Sequence, residues 1–217
     1  MRKNIILFSV IFACVIIGIV DGIIQPGYII KSLIKIVLFL LIPVIYYGFS
    51  KDSANYLKVN KKGIIIAISF GLVIYVVIIV AYLIFKNIFD FSALTKSLGE
   101  TTGVNKSNFI WVSIYISFVN SFLEEFFFRG FAFLTLKNLS SRRFAYIFSG
   151  AVFALYHISM MIGWFGLPVI LIVVAGLFAG GLIFNRFDEV YDNIYISWQV
   201  HMFANFAINT IGFILFQ

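Results

Sequence analysis

Charged residues are scarce in this chain, and so are cysteine and histidine. Only 12% of the 217 residues are charged, 62% are apolar, and the mean hydropathy is +1.06. A soluble domain needs more polar surface to cover its core, so the composition excludes that class and selects the membrane class. The single cysteine, Cys14, excludes an intramolecular disulfide. Any chemistry that needs imidazole must use His157 or His201.

The apolar segments have the length of membrane-spanning helices. At about 20 residues per span, the chain has room for roughly seven helices and no sizeable soluble domain. The segments lack the alternation of a membrane β-barrel, and no internal repeat is visible. We therefore predict one all-α integral membrane domain over residues 1–217, a polytopic bundle with spans near 4–20, 29–49, 63–85, 108–136, 143–163, 166–184 and 194–216. Gly176 and Gly180 match the small-xxx-small pattern of closely packed membrane helices.

The distribution of basic residues predicts the orientation, because cytoplasmic loops are enriched in Lys and Arg. A cytoplasmic N-terminus leaves only Lys86, Lys96 and Lys106 in the outer loops. This topology, N-in and C-out, explains the net charge of +7 without a nucleic-acid partner. Lys31 and Lys35 fit less well, because they enter the second span from the outer side. Either their side chains snorkel to the membrane surface or the second span starts later than residue 29. The basic residues that this topology places on the cytoplasmic side are Arg2, Lys3, Lys51, Lys58, Lys61, Lys62, Lys137, Arg142, Arg143 and Arg186.

Strongly polar residues inside the spans need a reason, because an ionised side chain at the bilayer centre costs about 2.5–3.5 kcal/mol even on lenient scales. Glu125 and Arg129 are four residues apart, so they share a helix face and are predicted to form a structural ion pair. Glu124 is rotated by about 100° and is left without that partner. We therefore expect Glu124 to be the carboxylate that is free to act.

Three spans place polar residues at similar depth. Along its helix, Glu124 lies about 20 Å from Lys137, and His157 lies about 21 Å from Arg143. Asn205 and His201 lie about 20 Å and about 14 Å from Asp192, and they face the same way because they are four residues apart. A convergent polar cluster is the expected signature of a site, so these residues are candidates for catalysis.

Such a set suits the activation of water. A glutamate can take a proton from water, and a histidine with an asparagine amide can stabilise the oxyanion that develops. The alternative is a divalent metal such as zinc, bound by Glu124, His157 and His201 with water as the fourth ligand. The HExxH spacing of soluble zinc proteases is absent, so no local motif decides between them. We favour the reaction that requires no cofactor.

Three short motifs occur in order along the second half of the chain. They are Glu124-Glu125-Phe126-Phe127-Phe128-Arg129, Phe153-Ala154-Leu155-Tyr156-His157 and His201-Met202-Phe203-Ala204-Asn205. They resemble the EExxxR, FxxxH and HxxxN motifs of the CAAX-protease and bacteriocin-processing family of intramembrane endopeptidases. The motif region extends over about residues 108–210.

The resemblance implies hydrolysis of a peptide bond in a cavity within the membrane. By position it implies that Glu124 is the general base, that His157 positions the water, and that His201 and Asn205 stabilise the oxyanion. Phe153 is associated with the second motif. The expected substrate is a peptide or a membrane-associated protein, and the composition suggests a bacterial cell membrane.

Two other functions stay open from the sequence. The first is a non-catalytic scaffold or bacteriocin self-immunity protein, which would have no use for Glu124 and two histidines at one depth. The second is a small transporter with a proton relay. Many transporters show internal repeats, and none is visible here.

Overall fold

The computed structural model describes residues 1–216 except 51, 53–54, 59–60, 89–90, 92–94 and 97, and it leaves the side chains of residues 55, 61 and 101 undescribed. Lys51 and the side chain of Lys61, both used for the predicted orientation, therefore lie outside the described residues. Throughout the described part the regular structure is helical. Two short turns, Asn55–Leu57 and Leu98–Thr102, accompany seven long helices. These are α1 (Arg2–Ile24), α2 (Tyr28–Phe49), α3 (Lys61–Phe85), α4 (Phe109–Thr135), α5 (Arg142–Met161), α6 (Leu167–Tyr191) and α7 (Tyr195–Leu215).

Each predicted span corresponds to one of these helices, which confirms the all-helical membrane fold. The largest difference is in α6, which continues to Tyr191 rather than ending near residue 184. Within the described residues, six helices, α1 to α6, are long and apolar enough to cross a membrane. The 21 residues of α7 are long enough but include the polar His201, Asn205 and Asn209. The count of seven spans and the N-in, C-out orientation stay predictions.

Helix α4 is the centre of the bundle. Every residue from Glu125 to Thr135 is buried, so this segment has neighbours on all sides. Aromatic side chains fill the space between α4, α2 and α5, with the rings of Phe39 and Phe127 stacked at 4.4 Å and those of Phe128 and Tyr156 at 5.0 Å. Offset aromatic pairs of this kind are favourable beyond the area that they bury. The catalytic candidate on α4, Glu124, thus immediately precedes the most enclosed part of the fold.

Part of α4 follows the wider π-helical hydrogen-bonding pattern. One such segment runs from Tyr115 to Asn120 and another from Glu125 to Thr135. Within the second segment, the hydroxyl of Thr135 also donates to the carbonyl of Gly130. Glu124 ends the single α-helical turn between these two segments. Interruptions of this type occur frequently at functional sites in helical proteins.

One end of the bundle carries a network of basic residues, called here the basic end. The N-terminus contacts the α2–α3 connection, since Arg2 Nη1 lies 2.7 Å from Asp52 Oδ1. Glu189, near the end of α6, pairs with Arg142 at the start of α5 (2.7 Å) and with Lys137 after α4 (3.6 Å). The connections predicted to be cytoplasmic therefore meet at a single end.

The opposite end joins the remaining connections. The ring of Phe91, after α3, lies 6.3 Å from that of Phe165, before α6. The ring of Phe109, at the start of α4, lies 4.9 Å from that of Phe216, just after α7. Successive helices thus run in alternating directions between the two ends.

The close approach between α5 and α6 involves different glycines from those predicted. In the described structure, a Cβ atom at Gly176 or Gly180 would meet nothing within 4 Å. A Cβ at Gly181 would instead lie 3.1 Å from the Cα of Gly150 on α5. The small-xxx-small interpretation of Gly176 and Gly180 is therefore wrong. The sequence pattern names a spacing, whereas the rotation of the helix decides which glycine faces a neighbour.

Candidate active site

A cavity of about 280 Å³ lies among five of the helices. Glu124, His157, His201 and Asn205 all line it, so the structure brings the four predicted residues together. They come from α4, α5 and α7. The remaining walls come from α1, α2 and the α1–α2, α3–α4 and α5–α6 connections, and their polar members include Asp21, Gln25, Lys31, Ser32, Lys35 and Thr102.

Glu124 lies between the two histidines. Its Oε2 atom is 3.8 Å from Nε2 of His201 and 4.0 Å from Nε2 of His157. The residue is only 2% exposed. These separations are too long for direct hydrogen bonds but can be bridged by a bound molecule with polar atoms. The three groups therefore converge on one small volume beside Oε2.

Lys35 is a partner of Glu124, which corrects the expectation that this carboxylate is free. The Nζ atom of Lys35 lies 3.2 Å from Oε1 of Glu124. The amide of Asn120 donates to the same oxygen at 2.7 Å and accepts from Lys35 at 2.9 Å. Since Lys35 is 4% exposed, it does not snorkel. An ionisable residue inside a predicted span was the signal that could have identified Lys35 from the sequence.

Lys31 is also paired rather than extended toward the membrane surface. Its Nζ lies 2.8 Å from Oδ1 of Asp21, whose side chain is fully buried near the end of α1. Two lysines one turn apart on α2 thus each meet a carboxylate from another helix. The charged side chains on the described walls of the cavity form two ion pairs, Lys31 with Asp21 and Lys35 with Glu124.

His157 is oriented by its own helix. It interrupts α5 between Tyr156 and Ile158, and its Nδ1 lies 2.7 Å from the carbonyl oxygen of Phe153. A carbonyl only accepts, so Nδ1 carries the hydrogen of this bond. In the neutral ring, Nε2 then presents a lone pair toward Glu124. The four-residue spacing of the motif thereby fixes which nitrogen atom faces the cavity.

His201 is oriented by Glu125. Its Nδ1 lies 2.8 Å from Oε1 of Glu125, a carboxylate that accepts hydrogen bonds, so Nε2 is again the atom that faces Glu124. The second oxygen of Glu125 lies 3.1 Å from Nε of Arg129. Sequence reasoning identified the Glu125–Arg129 pair but missed its contact with His201, because α7 is remote in the chain.

Arg129 is held between two aromatic rings. Its guanidinium carbon lies 3.9 Å above the ring of Phe153 and 5.2 Å from that of Phe184, and the residue is 0% exposed. A desolvated cation over an aromatic face gains up to about 2 kcal/mol. Phe153, the aromatic residue of the second motif, therefore contacts both Arg129 and, through its carbonyl, His157.

Asn205 fastens α7 to α4. Its side-chain amide donates to the carbonyl of Ile116 at 3.1 Å, and the residue is 7% exposed. One turn further on, the amide of Asn209 donates to Ser113 and Ser117. The Asn205 amide has two N–H groups, so one can donate to Ile116 while the other serves a ligand in the cavity.

Oε2 of Glu124 is a buried polar atom beside the histidines that has no hydrogen-bond partner of standard geometry among the described residues. The hydroxyl of Tyr156 interacts with the same carboxylate. An unsatisfied buried polar group costs about 1–3 kcal/mol, so this oxygen atom points to a function. A carboxylate oxygen accepts hydrogen bonds, which suits a water molecule.

The alternative of a divalent metal bound by Glu124, His157 and His201 stays a prediction. In the described part of the chain, no group of three or more His, Cys, Asp and Glu side chains is placed to hold a metal ion.

The fold and the cavity together define a class of protein: a polytopic helical membrane protein with a buried carboxylate and two imidazoles at membrane depth. Residues 106–207, slightly under half of the chain, match the family model described as "Type II CAAX prenyl endopeptidase Rce1-like". No curated protein and no solved structure matches the chain.

The family match confirms the resemblance inferred from the three motifs. It covers α4, α5, α6 and the first part of α7, and it ends two residues after Asn205. Together with the six apolar helices, it identifies an integral membrane protein and supports a peptidase at the level of the family. Asp21, Lys31 and Lys35 lie outside the matched region.

Proposed function

We propose that this protein is an intramembrane endopeptidase that hydrolyses a peptide bond with a water molecule activated by Glu124. The observation that carries this proposal is the position of Oε2 of Glu124, within 4.0 Å of imidazole nitrogen atoms from two other helices. The three residues line one cavity and lie within the region that matches an endopeptidase family.

Glu124 acts as the general base. It takes a proton from the water while the water oxygen forms a bond to the carbonyl carbon of the substrate. His157, whose Nδ1 is fixed by the Phe153 carbonyl, accepts from the same water through Nε2 and orients it. When the tetrahedral intermediate collapses, the C–N bond breaks and Glu124 returns its proton to the leaving amine.

The oxyanion is stabilised by His201 and Asn205. Glu125 holds the ring of His201 through Nδ1, so Nε2 of His201 faces the volume beside Glu124 in which the oxyanion develops. The free N–H of Asn205 supplies the second donor. Donors fixed in place before the reaction cost no reorganisation when charge develops, which is why such groups accelerate acyl transfer.

Lys35 and Asn120 position the base. They occupy Oε1 of Glu124, so the other oxygen is the one available to water. The positive charge of Lys35 also keeps an ionised carboxylate tolerable in a buried site. This division between the two oxygens allows Glu124 to be both anchored and reactive.

The substrate is a peptide or membrane-associated protein, the reaction needs no cofactor, and the protein resides in a cell membrane of bacterial type. An interior of about 280 Å³ is large enough for a few residues of an extended peptide but not for a folded domain.

The proposal is tested by peptide cleavage with the purified protein in detergent. Glu124→Gln, which keeps the shape but not the base, and His157→Ala should lower cleavage of a peptide library by about 10²- to 10⁴-fold. Glu100→Gln, an exposed glutamate outside the cavity, is the matched control.

Retention of full cleavage by Glu124→Gln would contradict the proposal. Binding of a bacteriocin-like peptide without cleavage, equally by wild type and Glu124→Gln, would instead favour the non-catalytic immunity or scaffold function.

A further inference from the structure

The walls of the cavity come from one end of the bundle. They consist of the end of α1, the start of α2, the first part of α4, the end of α5 and the middle of α7, with Leu98 and Thr102 from the α3–α4 connection. Trp164, in the α5–α6 connection, also lies on the wall. The cavity is therefore placed toward the end that holds the α1–α2, α3–α4 and α5–α6 connections.

The basic residues collect at the other end. The N-terminus, the α2–α3 and α4–α5 connections and the helix ends beside them carry nine of the 16 Lys and Arg residues, and Arg186 near the end of α6 is the tenth. The opposite connections carry Lys86, Lys96 and Lys106. The contacts of Arg2 with Asp52 and of Glu189 with Arg142 and Lys137 bring these segments together. Because basic connections are retained in the cytoplasm, the basic end faces inward.

From these two observations we propose that the active-site cavity is reached from the outer side of the membrane, and that the substrate is a peptide segment exposed on that side. The substrate assignment rests on the proposed endopeptidase function, whereas the direction of access depends only on the fold and the charges.

The charges on the cavity wall restrict which substrate residues can bind beside Glu124. The charged residues of its described walls, histidines aside, are already paired, Lys31 with Asp21 and Lys35 with Glu124. A charged substrate residue would have to compete with these pairs for a counter-charge and would lose its hydration. The segment held beside Glu124 is therefore uncharged.

The direction of access is tested by labelling single cysteines. In a Cys14→Ala background, Ser32→Cys and Ser159→Cys place a thiol on the cavity wall, and Ser140→Cys places one in the α4–α5 connection at the basic end. All three are near-isosteric changes. Each variant is treated with a membrane-impermeant maleimide in spheroplasts and in inside-out vesicles.

We expect Ser32→Cys and Ser159→Cys to be labelled in spheroplasts, and Ser140→Cys only in inside-out vesicles. Labelling of both cavity positions only in inside-out vesicles would overturn the proposal. If neither cavity cysteine is labelled in spheroplasts or in inside-out vesicles, while Ser140→Cys reacts in the vesicles, the proposal is also overturned. That result would indicate access from the lipid.

The labelling experiment and the cleavage assay of the proposed function can succeed or fail independently. Labelling does not require catalysis, so Glu124→Gln should give the same pattern. If that pattern appears and Glu124→Gln still cleaves peptide fully, the access is correct and the endopeptidase mechanism is wrong. If Glu124→Gln is inactive and the labelling pattern is reversed, the mechanism stands and the proposed direction of access is wrong.

The uncharged substrate segment is tested by peptide cleavage. An uncharged peptide should be cleaved at least about tenfold faster than variants with Lys or Asp beside the scissile bond. Equal rates would show that the segment need not be uncharged.

Discussion

The ammonium group of Lys35 lies 3.2 Å from Oε1 of Glu124, although 88 residues separate the two in the chain. Both side chains are almost completely buried. The pair joins α2, outside the region that matches the endopeptidase family, to the catalytic candidate within it. The first helices of the chain are therefore part of the site and do more than enclose it.

Replacement of Lys35 by Met should lower kcat by about 10- to 100-fold with little change in KM. A charge-assisted hydrogen bond contributes about 1.5–3 kcal/mol, and its loss frees Oε1 to compete with Oε2. Lys35→Arg should restore part of the rate, and Lys86→Met, at an exposed site after α3, should have no effect. Steady-state kinetics on a cleaved peptide make the comparison. A change confined to KM would show that Lys35 binds substrate and does not position the base.

Arg129→Met should destabilise the folded protein strongly, because Glu125 would remain as a buried charge with one partner fewer. Removing one member of a buried pair costs about 3–5 kcal/mol. The double variant Glu125→Gln/Arg129→Met should be more stable than Arg129→Met alone. Thermal unfolding in detergent measures both. If the two substitutions prove additive, the ion pair is not the source of the stability.

Gly181→Ala and Gly176→Ala form a matched pair on α6. The new methyl group at residue 181 would lie 3.1 Å from the backbone of Gly150, whereas that at 176 meets nothing within 4 Å in the described structure. Gly181→Ala should therefore lower the unfolding temperature, and Gly176→Ala should maintain or raise it, since Ala is favoured over Gly in helices by about 1 kcal/mol. If Gly176→Ala lowers the unfolding temperature more than Gly181→Ala does, the packing interpretation of Gly176 and Gly180 is correct after all.

Asp188→Ala should loosen the start of α7. The carboxylate accepts from the backbone N–H of Ser197 at 3.1 Å and from its hydroxyl at 2.6 Å, and it is fully buried. Its loss leaves buried donors unpaired, at about 1–3 kcal/mol. Because His201 lies one turn after Ser197, cleavage should fall as well, and Asp188→Asn, which retains an acceptor, should be milder in both assays. Unchanged unfolding of Asp188→Ala would exclude this role.

Treatment with a chelator should leave cleavage unchanged. The proposed mechanism uses Glu124, His157, His201 and Asn205 without a metal. The assay compares activity before and after chelation, followed by addition of zinc. Loss of activity that zinc restores would contradict the metal-free reaction and return Glu124 and the two histidines to the role of ligands.

Much of the site could be predicted from the sequence because its parts are local. The three motifs have spacings of four, so Glu125 with Arg129, Phe153 with His157, and His201 with Asn205 fall on common helix faces. Estimates of depth along straight helices then placed Glu124, His157 and Asn205 at similar depth, and the structure puts them with His201 around one cavity.

The sequence by itself determined the membrane class, the number of long helices and the residues able to do chemistry, because these depend on hydropathy and on spacing within a helix. The pairing of Lys35 with Glu124, the contact of Glu125 with His201 and the choice of Gly181 over Gly176 were decided only by the tertiary structure. Each depends on how one helix is rotated against another, and that rotation follows from packing all the side chains at once.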